Sequence, residues 1–294
     1  MTASRSVIAA AIWLMALGAP AWAQEHASEV SPEKNRWSFS GPFGKYDRAQ
    51  LQRGLKIYRE VCSTCHGLSM IAFRNLADPD GPGFTPAQAE AIAAEYKIQA
   101  GPNDQGEMFE RPGRLADHFP APFPNEEAAR FRYGAVPPDM SVIAKARGYE
   151  RGFPYWVLDM LLQYQEHGVD YITALMQGYQ ENPPTGVTLP PGSYYNRIYP
   201  AHVMRMPPPL TDQRVDYTDG TPTTVEQYAK DISAFLMWAA EPHLMQRKRI
   251  GLQVFIFLIV LAGLLYFTKK KVWHAVELHP QTLNPRPPVE YPHA

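Results

Sequence analysis

Eighteen consecutive residues, Ile250 to Phe267 (I-G-L-Q-V-F-I-F-L-I-V-L-A-G-L-L-Y-F), carry no charge, and Gln253 is the only strongly polar side chain among them. A helix buried in a water-soluble core rarely stays apolar all round for so long. At about 1.5 Å per residue this segment gives about 27 Å of helix, enough to cross a bilayer core with its flanks at the interfaces. Arg247-Lys248-Arg249 precedes the run and Lys269-Lys270-Lys271 follows it. That balance leaves the positive-inside rule nothing to decide. Tyr266 and Trp273 suit the interface at the far end. One transmembrane anchor with its flanks, 247–271, is therefore expected.

Orientation comes from the other end of the chain. Arg5 provides a positive start, Val7 to Leu17 an apolar stretch of 11 residues, and Ala21-Trp22-Ala23 a small-x-small cleavage site. This is the pattern of a signal peptide over 1–23, with Gln24 as the mature terminus. Eleven apolar residues are too few to span a membrane that needs about 20. Residues 24–246 are then exported and 272–294 remain in the cytoplasm. The exported part holds 20 basic and 27 acidic residues, a net charge of −7, although the whole chain carries only −1. Such a face steers a basic partner, most effectively at low salt, and no nucleic-acid partner is expected. There is no internal repeat, phosphate-binding glycine loop or catalytic triad.

The exported part has two cysteines, Cys62 and Cys65, in Cys62-Ser63-Thr64-Cys65-His66. Cys-x-x-Cys can be a redox pair, half of a zinc site or a haem attachment point. Zinc lacks a second pair of ligands here. A redox pair ordinarily follows a strand, whereas Leu51, Leu55, Tyr58 and Cys62 recur at helical spacing ahead of the motif. His66 turns the balance toward one covalent haem c, with thioethers to both cysteines and the imidazole as axial ligand. A methionine thioether opposite it would give a six-coordinate electron-transfer haem of raised potential. Of 11 methionines, Met1 and Met15 fall in the leader, and Met160, Met176 and Met237 lie in apolar helical runs. Met206 is followed by Pro207-Pro208-Pro209, a stiff extended segment that could hold a side chain against a haem face. Met204, two residues earlier, remains open on the same grounds.

With 29 Pro and 20 Gly, the domain is expected to be loop-rich, with helices as its main regular structure. Helices are predicted over Asp47–Val61, Pro86–Tyr96, Tyr155–Glu166, Tyr171–Gly178 and Thr224–Ala240. Thr223 and Glu226 are read as a capping box for the last, and Pro242 as its break.

The residues also resemble the cytochrome c1 family, the membrane-anchored haem subunit of the cytochrome bc1 complex, from about Trp37 to Lys271. The resemblance is carried by Arg53-Gly54, Tyr58 and the Cys62–His66 motif, by Phe73-Arg74-Asn75-Leu76, and by Gly101 to Asp117. It continues through Pro124 to Arg130, Gly134 to Ser141, Pro183 to Gly186, Met206 to Pro209 and Trp238 to Pro242. It implies a mainly α, class I cytochrome c-like haem domain with long loops and one C-terminal transmembrane helix. It implies Met206 as the axial ligand opposite His66, Arg147 beside a haem propionate and Tyr171 packed near the haem. It further implies a subunit of the bacterial quinol–cytochrome c oxidoreductase in the inner membrane, with its haem domain in the periplasm. Cytochrome b and a Rieske iron–sulfur subunit are its expected neighbours and a cytochrome c its acceptor, in a dimeric complex. Another anchored monohaem carrier is the alternative.

Two departures stand out. Phe131-Arg132-Tyr133 replaces small and amide residues of the family. Residues 148–168 are longer than in mitochondrial members and contain the apolar run Phe153 to Leu162, expected to cover the haem domain or to contact a neighbouring subunit. Two cysteines leave none for the extra disulfide of some bacterial members.

Overall fold

The computed structural model of the protein describes residues 32–149, 151–162 and 164–278. The expected leader over 1–23, the mature terminus at Gln24 and the last part of the expected tail, 279–294, lie outside the described residues. The chain divides into two units, one ending at Pro242 and one beginning at His243.

The first unit is built on two helices. The sequence predicts α1 (Arg48–Glu60) well: the Asp47 carboxylate caps it by accepting from the amides of Ala49 and Gln50, and Leu51, Gly54, Leu55, Ile57 and Tyr58 are buried. α1 packs on α7 (Val225–Ala240), most of whose residues are buried, including Tyr228, Phe235 and Trp238. The two backbones meet at Gly54, where a Cβ would strike the Asp231 carbonyl and the Phe235 Cβ. Beside that contact Asp231, with no exposed surface, accepts from Arg53 Nε at 2.8 Å, Tyr217 at 2.9 Å and Gln227 at 2.9 Å. Five hydrogen bonds in all, counting those from Gln50 and Arg53 Nη2, compensate the buried carboxylate.

The cap of α7 differs from expectation. Thr224, not Thr223, accepts from the Gln227 amide at 3.3 Å. Thr223 is held outside the helix because its carbonyl accepts from the Gln213 amide, and Asp212 takes the Val225 amide. Glu226 pairs with Lys230 instead, at 2.7 Å.

The remaining elements are shorter. A 3-10 turn at Cys62–Thr64 follows α1, and a second at Phe73–Ala77 packs on α2 (Pro86–Ala94). β1 (Lys97–Ala100) pairs antiparallel with β2 (Phe109–Pro112), Lys97 opposite Pro112 and Ala100 opposite Phe109. α3 (Glu126–Tyr133) ends on Gly134 in the left-handed conformation, the C-terminal stop that glycine supplies. The single turn α4 (Ile143–Ala146), then α5 (Tyr155–Leu162) and α6 (His167–Gln177) come next. β3 (Tyr194–Tyr195) and β4 (Val203–Met204) form the second two-stranded ladder.

Two helix boundaries move. α5 stops at Leu162 rather than Glu166, and the Tyr164 amide turns back onto the Asp159 carbonyl at 2.8 Å. α6 begins four residues before Tyr171, taking in Gly168 although glycine is a poor helix former. The reason is close packing, since a Cβ at Gly168 would strike the carbonyls of Ala144 and Arg147. Asp170, fully buried on α6, accepts from Trp37 Nε1 at 2.9 Å, the Asn35 amide at 3.0 Å and the Tyr164 hydroxyl. It thereby binds the start of the described chain to the core.

The second unit is α8 (Leu244–Leu278), 35 residues long. It is long and apolar enough to cross a membrane, and Phe255, Ile259 and Leu264 are each more than half exposed to the surroundings. Such side chains are suited to lipid rather than water.

Candidate functional site

The motif turn explains its own spacing. The amides of Cys65 and His66 both donate to the Cys62 carbonyl, at 3.1 and 2.9 Å, closing a 3-10 turn. In that geometry residues three apart eclipse one another, so Cys62 and Cys65 share one side of the turn. Hydroxyls of Ser63 and Thr64 tie it back to the carbonyls of Arg59 and Val61, at 2.8 and 2.9 Å. The thiols form no disulfide and are part-buried. Burial, reinforced by the neighbouring Cys65, pushes the Cys62 thiol up to about 12. A thiol so reluctant to ionise is poorly suited to disulfide exchange.

His66 is 8% exposed, and its Nδ1 lies 2.8 Å from the Pro138 carbonyl. A carbonyl only accepts, so Nδ1 carries the proton and Nε2 presents a lone pair. Burial lowers the imidazole below its usual range, against the opposing pull of the Pro138 carbonyl and of Asp139. The ring is therefore neutral at neutral pH, as an axial ligand must be, with the backbone contact that typically orients a metal-binding histidine.

The segment Pro137 to Ser141 is clamped along the residues that follow His66. The Met140 amide donates to the Gly67 carbonyl at 2.8 Å, the Ser69 amide to Asp139 Oδ2 at 2.9 Å, and the Met70 amide to Ser141 Oγ at 3.0 Å. Burial alone would raise the Asp139 carboxyl, but donors from Ser141 and Ser69 outweigh it and hold the group below the usual carboxylate range. Tyr58 supports the same turn from beneath, donating to the His66 carbonyl at 3.2 Å and meeting Phe119 edge-on.

The phenol of Tyr133, which the sequence marks only as a departure, is lifted above the ordinary range by its interaction with Cys65. The next residue, Gly134, faces the Arg205 guanidinium, since a Cβ there would lie 3.8 Å from Arg205 Nη1. Arg205 stands between Met204 and Met206 and donates to the Pro191 carbonyl at 2.9 Å. Met204 is bound into the β3–β4 ladder opposite Tyr194. Met206 lies beyond it, part-buried, with its carbonyl accepting from Tyr179 at 3.2 Å. The three prolines that follow lead to buried Leu210, and Val215 is pinned to Tyr228 on α7. The Met206 backbone is thus fixed on both sides.

Arg147 caps α4 at its C-terminal end, exposed and without an ion pair among the described residues. Tyr171 is 9% exposed on α6, which packs against α4. Two thiols on one face and a neutral buried imidazole with an oriented lone pair are donors that fit a covalently held haem, and Met206 is a braced thioether on a separate segment. Sequence reasoning missed Pro138 and Tyr133. The Pro138 carbonyl leaves no side-chain signal, whereas Tyr133 was visible as an aromatic where a small residue was expected.

The model of the Cytochrome C1 family matches residues 37–276. A cytochrome b/c1 from Bradyrhizobium diazoefficiens is 58% identical over 272 residues, which is 92% of this chain and 40% of that relative. The chain thus spans less than half of that longer protein. A cytochrome c1 from Blastochloris viridis is 46% identical over 94% of this chain and 99% of its own length. A cytochrome c1 from Rhodospirillum rubrum is 42% identical over 93% and 97%.

Proposed function

The chain belongs to the cytochrome c1 family, and on that premise we propose that it is the electron outlet of a bacterial quinol–cytochrome c oxidoreductase. Its haem c is attached through Cys62 and Cys65 and ligated by His66 and Met206. The observation that carries this reading is the neutral, oriented His66 imidazole in the turn that presents both thiols together. When bound, the haem supplies a one-electron couple, and the protein supplies everything that tunes it.

The Pro138 carbonyl fixes the tautomer and the rotation of His66. Met206, ahead of a proline-stiffened segment, offers a soft sulfur on a backbone already held by Tyr179. A haem held by His66 and Met206 would leave no coordination position open to oxygen or peroxide, which suits a carrier. Arg147, exposed and unpaired among the described residues, would offset a propionate. Tyr171, on α6, would line the haem site.

Electrons enter from a Rieske iron–sulfur subunit and leave to a cytochrome c, whose basic face is drawn by the acidic exported domain. Residues 24–246 form the periplasmic haem domain, 247–271 the anchor with its flanks and 272–294 the cytoplasmic tail. Cytochrome b is the membrane partner, within a dimeric complex. The relative named cytochrome b/c1, in which the two are joined in one protein, supports that pairing.

Purification of the tagged chain from membranes in mild detergent tests the assignment. A reduced-minus-oxidised spectrum is expected to show both c-type and b-type haem. A c-type band alone, with no b-type haem in any mild preparation, would instead make the chain a lone carrier.

A further inference from the structure

The carbonyl that orients His66 sits in a stretch of chain that cannot hold itself in place. Residues 134–142 run between α3 and α4 outside any helix or strand. Pro137 and Pro138 have no amide hydrogen, so neither can donate a backbone hydrogen bond. The Pro138 carbonyl, 2.8 Å from His66 Nδ1, is therefore placed by the residues that follow it.

Those residues grip the chain just beyond His66 through two side chains. The Asp139 carboxylate uses both its oxygens. Oδ1 accepts from the Ser141 amide of its own loop at 2.8 Å, and Oδ2 from the Ser69 amide at 2.9 Å. Ser141, 1% exposed, accepts the next amide along, that of Met70, on its hydroxyl oxygen at 3.0 Å. Between them the Met140 amide donates to the Gly67 carbonyl at 2.8 Å. Gly67 leaves room for this grip, since a Cβ there would lie 2.9 Å from Asp139 Oδ2. The bond from Nδ1 to a carbonyl raises the basicity of a ligating imidazole. A more basic ligand favours the more highly charged, oxidised iron, which lowers the potential.

We propose that Asp139 and Ser141 are positioning residues for the haem: they hold the Pro138 carbonyl on His66 and so keep the haem potential below the value an unrestrained loop would give. This rests on the ligation by His66 proposed above. Both residues act through the Pro138 carbonyl rather than on the iron. Ser141→Ala removes one acceptor with no change of charge. Asp139→Asn cannot serve both amides, because its own NH2 group meets one of them.

The parent and both variants would be compared as haem-loaded full chains in their complex. Redox titration gives the potential. Low-temperature electron paramagnetic resonance of the oxidised haem gives g-values that follow the orientation and donor strength of the axial imidazole. Both variants are expected to titrate at a higher potential than the parent, with shifted g-values. Thr85→Ala is the control: it removes the cap of α2, where Thr85 Oγ1 accepts from the Gln88 amide at 3.2 Å. It is expected to lower stability while keeping the parent's potential and g-values. Variants at 139 and 141 that bind haem and keep both parental quantities would reduce the grip to a loop staple and overturn the proposal. An equal rise in Thr85→Ala would overturn it too, as a sign of general loosening. A parent spectrum without an axial histidine would instead overturn the ligation itself, and this inference with it.

Discussion

At the scale of single residues, the site depends on a few atoms whose positions are fixed from far away in sequence. His66 receives its orienting carbonyl from Pro138, 72 residues on. Met206→Leu removes the soft axial donor while keeping the volume, so the haem potential is expected to fall and the reduced iron to bind carbon monoxide. A potentiometric titration and a carbon monoxide difference spectrum check both. An unchanged potential with no carbon monoxide adduct would exclude Met206 as ligand and return attention to Met204. As candidates, the cysteines and His66 were legible because haem attachment leaves a mark at fixed spacing, whereas the residues alone left Met204 open beside Met206 and the family resemblance favoured Met206. Pro138 was not legible, because a backbone carbonyl looks the same in every sequence. Asp170 and Asp231 were equally opaque, since their donors include Trp37, 133 residues from Asp170, and Arg53, 178 residues from Asp231.

At the scale of elements, the α1–α7 crossing explains why Arg53, Gly54 and Tyr58 accompany the motif. Arg53 neutralises Asp231, Gly54 lets the backbones touch, and Tyr58 supports the turn. Arg53→Ala leaves a fully buried carboxylate with neutral donors only, and is expected to destabilise the haem domain by about 3 kcal/mol, measured by chemical unfolding of the holoprotein. Gly54→Val should cost about 1–3 kcal/mol by overpacking, with the c-type absorption band retained in whatever folds.

The β2 hairpin has its own acid limit. Arg111 grips the Asp117 carboxylate at 2.6 and 2.8 Å, holding it at about 2 against the ordinary 3.8. A depressed carboxyl stabilises the fold fully above its unfolded value and loses that contribution as pH falls from about 4 through about 2. Hydrogen exchange at 109–117 is expected to accelerate over that window, and Asp117→Asn to remove the pH dependence of that region. Five helices of the first unit were readable from periodicity and caps, but α3 and α4 were not, and the end of α5 and the start of α6 each moved by four residues. Thr224 displaced Thr223 as cap because the Gln213 amide holds the Thr223 carbonyl and Asp212 takes the Val225 amide, and α6 gained Gly168 because α4 lies against it.

At the scale of the whole molecule, the described residues combine a mainly helical domain with one helix long and apolar enough to cross a membrane. The mainly helical architecture and the long apolar C-terminal helix followed from the sequence. The outward face of α5 did not, because an apolar run reads alike whether it is buried or exposed, and it is Asp159, buried against Arg151, that turns the apolar side chains outward. In the function we propose, this domain is a conduit between quinol oxidation in the membrane and a cytochrome c outside it.

The most direct test is to follow the c-type haem while the purified, oxidised complex is mixed with reduced quinol and then with oxidised cytochrome c. The band of this chain's haem c is expected to grow on quinol addition and, resolved from that of the added protein, to fall again as the added cytochrome c becomes reduced. A c-type haem that stays oxidised in the presence of quinol, in a complex whose b-type haem is reduced, would contradict it.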